Sequence, residues 1–187
     1  MSDDIPAEAD DSFVPKFSQA PFGAVLASIA AVMSAVGTVG IGVLMALVVA
    51  DVVGRNFLDA PITGVSEIAG RAVVAIVFLQ VAAAILQKRL TRADFLIRRI
   101  ERASPRAVSL IEAVFCLVGA AVFAAILWAS WPSFLDAWNS SDYFGVQGVF
   151  TIATWPFRGI TVLGAAVAAL AALYRLQIEL RAVGGFS

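Results

Sequence analysis

The chain has 187 residues, of which 60% are hydrophobic and 14% charged, with a net charge of -1 and a mean hydropathy of +0.90. Soluble domains carry roughly 25% charged residues, so this composition excludes a chain facing water throughout, and its charge excludes a basic field that draws nucleic acid. There is no histidine and a single cysteine, which removes imidazole ligands for haem or zinc, the commonest general base and any internal disulfide.

Residues 1–21 are acidic, contain proline and lack core formers, which predicts a flexible cytoplasmic tail. Acids stand where a secretory signal would have basic residues, so no cleaved leader is expected here.

Four apolar segments follow, at about residues 22–50, 67–87, 108–131 and 155–175. A bilayer core needs about 20 residues at about 1.5 Å each. The first segment has length to spare for tilt, while the second and fourth just suffice. None alternates like a barrel strand. The expected fold is therefore an all-α integral membrane protein with four transmembrane helices in a domain spanning 22–176. A short C-terminal tail is expected at 177–187.

Between the second and third spans lie Lys88, Arg89, Arg92, Arg98, Arg99, Arg102 and Arg106, more than half of the 13 basic residues. By the positive-inside rule this loop is cytoplasmic, and four spans then give an N-in/C-in topology. Within it, Phe95, Leu96, Ile97 and Ile100 are interspersed with arginines, as in a segment lying at the inner interface. Lys88, Arg89, Arg92, Arg98 and Arg99 would then rest on phospholipid headgroups. The outer loops become 51–66 and 132–154. Trp128, Trp131, Trp138 and Trp155 cluster around the latter, as one side of an aromatic belt.

Charges at the span ends are the candidate functional residues. Asp51 and Arg55 are four apart, as are Glu67 and Arg71, and such pairs share a helix face. With Arg158 they fall at the outer end, which suggests an ion-pair network fixing helix register. Gln80 suits an interhelical hydrogen bond, and Cys116 a small buried residue. Small residues recur every fourth position at Ala30, Ser34, Thr38, Gly42 and Ala46, and again at Gly164, Ala168 and Ala172. Such ridges let helices approach closely, either within the subunit or onto a partner. No nucleophile elbow, phosphate loop or paired catalytic carboxylates are present, so neither an enzyme nor a metal or cofactor site is expected.

The order of short motifs resembles the small membrane subunit, DctQ-like, of tripartite ATP-independent periplasmic (TRAP) transporters. The matching residues are Arg55 and Phe57 after span one, the Pro61-x-x-Gly64 turn, and Glu67 opening span two. Next come Lys88, Arg89 and Arg92 before the short hydrophobic segment 94–97, and finally the approach to span four at 148–165. One departure is Leu90-Thr91, where the family often has histidine. The resemblance implies a bacterial inner-membrane protein that scaffolds a large multi-span transport subunit. That partner would carry the substrate and sodium sites for organic acid symport. A periplasmic substrate-binding protein would dock on the outer surface, where Asp51, Arg55, Glu67, Arg71 and Arg158 would set bundle geometry or face it. The alternative from the residues alone is a self-associating four-helix assembly or sensory module.

Overall fold

The computed structural model describes residues 21–87, 105–146 and 150–184. Within them the chain forms α1 (Pro21–Phe57), α2 (Val65–Leu86), α3 (Pro105–Asn139), the strands β1 (Tyr143–Val146) and β2 (Phe150–Ala153), and α4 (Trp155–Gly184). All four helices are long and apolar enough to cross a membrane. In lipid every backbone N–H and C=O must be satisfied within its own segment, which a helix does. The tail 1–20 and the basic interfacial segment with Lys88, Arg89, Arg92, Arg98 and Arg99 lie outside the described residues.

The helices do not close into a square bundle. They line up in the order α1, α2, α4, α3, and α1 touches α4 only lightly. Central α4 has 44% of its most apolar stretch buried, against 11% for α1. The ring of Phe22 meets that of Tyr174 at 6.0 Å, which places the start of α1 beside the latter part of α4. The opposite end of the layer carries the α1–α2 turn and the strands, and is called the hairpin end below.

Packing is tightest toward the end where Phe22 meets Tyr174. Leu26, Ala27, Ala30, Ala82, Ala83, Ile85, Leu86, Ala120, Ala168, Ala171 and Ala172 form one buried cluster. Alanine dominates because lipid tails are as apolar as leucine. Association then depends on close backbone approach rather than on escape from water. Two helix backbones come close at Gly164 of α4, where an added Cβ would lie 2.4 Å from the carbonyl oxygen of Phe78 in α2.

Two expectations need correction. First, α1 continues to Phe57 and α3 to Asn139, so much of what was assigned to the outer loops is helical. Pro132 sits inside α3 and removes one backbone donor. The helix persists because Trp131, Phe134 and Trp138 share a face, with ring centroids 6.3 Å apart at each step. Trp138 then meets Trp155 edge-on at 5.2 Å, which anchors the last turns to α4. Second, residues 177–184, expected as tail, extend α4.

The ridge on α1, which suits packing within the subunit or onto a partner, is not the face that meets α2. Ala30 is buried, but Thr38, Gly42 and Ala46 are exposed. Side chains of α2 instead approach α1 at Gly37, beside Gln80, and Gly40, beside Ile76. With about 3.6 residues per turn, each four-residue step rotates about 40°, so such a ridge winds off any straight neighbour. On α4 the shorter series Gly164, Ala168 and Ala172 remains buried throughout.

Candidate functional site

The hairpin end gathers the charged residues singled out by the sequence. It is built on Asp51, buried near the end of α1. One carboxylate oxygen accepts from Arg55 Nη2 at 3.0 Å, and the other accepts from the backbone N–H of Ile62 at 2.8 Å. The second bond reaches eleven residues along the chain and pins the α1–α2 turn onto α1. Gly54 lets the turn come close, since its carbonyl accepts from Leu58 and Ala60, both at 3.1 Å. The Arg55 side chain is 64% exposed, so its ion pair adds little, and the bond to Ile62 is the structural one. Asp51→Ala should therefore expose the Ile62 amide to hydrogen exchange and cost about 1–2 kcal/mol. Asp51→Asn, which keeps an acceptor oxygen, should preserve that protection.

The turn ends at Gly64, whose φ of 86° lies in the left-handed region that favours glycine. A Cβ here would also strike the Phe150 ring at 2.2 Å, so β2 lies directly against this turn. Tyr143, Phe144, Gly145 and Val146 pair antiparallel with Ala153, Ile152, Thr151 and Phe150. Thr154 N–H donates to the Asp142 carbonyl at 2.9 Å and extends the ladder. Phe144 is the anchor of this pair of strands. It is buried, with its ring edge-on to Phe157 of α4 at 5.6 Å, and the Arg71 guanidinium of α2 lies 4.1 Å from its centroid.

That contact explains what becomes of the second four-residue pair. Glu67 and Arg71 form no ion pair. An exposed pair of this spacing is worth about 0.3–0.5 kcal/mol, and a cation over an aromatic face about 0.5–2 kcal/mol. Arg71 goes to the ring. Glu67 stays exposed in the first turn of α2, where a carboxylate complements the positive helix end. Arg158 Nη1 donates to the Ser133 carbonyl and ties α4 to α3. The five residues thus share one end without forming a single ion-pair network. Asp51 with Arg55 fastens the turn, Arg71 holds the strands, Arg158 bridges two helices, and Glu67 is open.

Two features lay beyond the sequence reading. The strands did carry a signal, since Tyr143-Phe-Gly-Val and Phe150-Thr-Ile-Ala are aromatic and β-branched runs around Gln147-Gly148. The other is at the opposite end, where Glu112, Arg175 and Glu179 are buried. Arg175 Nη2 lies 3.4 Å from Glu179 Oε1, with their side chains 3% and 9% exposed. Cys116 is buried, and Gln80 lies against Gly37 of α1.

The hairpin end is a strand-covered platform that presents Arg55 and Glu67 and holds no assembled acid–base or nucleophile pair among the described residues. No curated protein and no solved structure matches this chain. Residues 44–181 match the family described as tripartite ATP-independent periplasmic transporters, DctQ component.

Proposed function

Because that match covers well over half of its length, the chain belongs to the DctQ component family of tripartite ATP-independent periplasmic transporters, and from that membership we propose how it serves the transporter. It is the small multi-pass membrane subunit, without enzymatic activity of its own, in the inner membrane of a bacterium. It braces a large transport subunit that performs sodium-coupled uptake of an organic acid. The hairpin end faces the periplasm, and the basic segment after α2 faces the cytoplasm and its lipid headgroups.

The observation that carries this reading is the open layer. Residues such as Val36, Val39, Val43 and Met45 on α1 are exposed in the isolated chain, and Thr38, Gly42 and Ala46 lie bare among them. Membrane helices cover such small-residue faces with another helix. The large subunit is the occupant to which family membership points.

At the other end, exposed Arg55 and Glu67 beside the strands suit the docking of a soluble binding protein. Charge pairs across such an interface set partner choice and encounter rate. Reversing both charges, Arg55→Glu with Glu67→Lys, should lower uptake at limiting binding protein by about tenfold. The amount of membrane complex should not change. Unaltered uptake at every concentration of binding protein would remove docking from this surface.

A further inference from the structure

We propose that the cleft between α3 and α4 at the hairpin end holds one phospholipid, with an acyl chain along the cleft and the phosphate at Arg158. The cleft has a volume of about 910 Å³, and its walls include Leu127, Trp131, Phe134, Val162, Leu163 and Val167. Ligand pockets typically run from about 300 to 1,000 Å³, and this one is lined by apolar side chains.

Its position fits one leaflet. Along α3 the lining runs from Ala124 to Phe134, which is about 15 Å of helix. Half of a hydrocarbon core of about 30 Å is the same length. An empty cleft at this depth would forfeit dispersion contacts along its whole lining. A flexible hydrocarbon chain restores them.

The mouth supplies the charge complementarity. Pro132 and Gly159 line the cleft, and their neighbours Ser133 and Arg158 are joined by the bond from Arg158 Nη1 to the Ser133 carbonyl. That bond ties the guanidinium to α3 next to the cleft-lining Pro132 and Phe134, and among the described residues no carboxylate forms an ion pair with it. The remaining N–H donors match phosphate oxygens, which arginine binds in bidentate fashion. Trp155, three residues before Arg158, meets Trp138 at this end of the cleft, the depth tryptophan favours beside headgroups.

Native mass spectrometry of the intact membrane complex, released from mild detergent, tests this. Wild type should retain one phospholipid per copy of this chain. Ala166→Trp, which fills the cleft, should retain none. Arg158→Gln should lower retention about tenfold, as loss of a charge-assisted bond does. Retention by Ala166→Trp equal to wild type would overturn the proposal. So would an unchanged lipid count combined with loss of the large subunit, which would make the cleft a protein interface. A measurement needing no substitution stands beside it. A phospholipid with a photoreactive group in its acyl chain should label peptides covering 124–134 and 159–167, and even labelling of all four helices would overturn the assignment.

Discussion

Gly164→Val should destabilise the isolated subunit by about 2 kcal/mol. The new Cβ would lie 2.4 Å from the Phe78 carbonyl oxygen and 2.8 Å from its carbonyl carbon. The obstacle is backbone, so rotamer changes cannot relieve it and α2 must move off α4. Overpacking of this kind costs typically about 1–3 kcal/mol or more, from which about 0.5–1 kcal/mol is recovered by removing a helical glycine. Because α4 is the central helix, the displacement also disturbs the alanine cluster that includes Ala168, Ala171 and Ala172. Denaturant unfolding in micelles, followed by circular dichroism, measures the loss. Gly119→Ala is the control, since nothing lies within 4 Å of its Cβ position and the change should be neutral or slightly stabilising. Equal stability of Gly164→Val and wild type would mean that α2 and α4 are not in contact here.

Gly42→Phe should do the reverse, leaving the isolated chain folded while weakening its complex. A Cβ on Gly42 also meets nothing within 4 Å, so α1 accommodates a larger side chain without internal conflict. If the large subunit covers the face carrying Thr38, Gly42 and Ala46, phenylalanine holds the two surfaces apart. About 1.4 kcal/mol of lost contact lowers association about tenfold. The readout is the amount of large subunit copurified with the variant, set against its unfolding curve alone. A drop in copurification with unchanged unfolding supports the assignment of α1, and an unchanged complex removes α1 from the interface.

The span count and the helical class were legible because lipid imposes one strong rule. A charge-free run of sufficient length has to satisfy its own backbone, and the runs at 22–50 and 113–131 leave little choice. Helix ends were less legible. Asp51 and Arg55 mark the edge of the apolar run but not of α1, which continues to Phe57 because the pair is itself helical. Pro132 and the tryptophans beside it read as a loop, although the aromatic spacing that holds α3 helical through Asn139 was present in the sequence.

At the candidate site, Asp51 with Arg55 was readable from local spacing. Arg71 was not, because its partner Phe144 lies in a strand more than seventy residues away. Spacing rules see neighbours on one helix, and the stronger competitor came from elsewhere in the chain. Arg175 and Glu179 do show the four-residue spacing, but Glu179 lies beyond the apolar run in the extension of α4, so their burial was not expected. The ridge on α1 illustrates a third limit. Small-residue spacing identifies a surface that permits close approach, but the helix that occupies it can belong to another chain.

Copurification from native membranes in mild detergent, with the tag on this chain, tests the central claim most directly. Membership of the transporter family and the open layer together predict a stoichiometric, many-span hydrophobic partner that remains bound. Recovery of this chain alone, as a homo-oligomer stable in the same detergent, would contradict the account and favour a self-associating module.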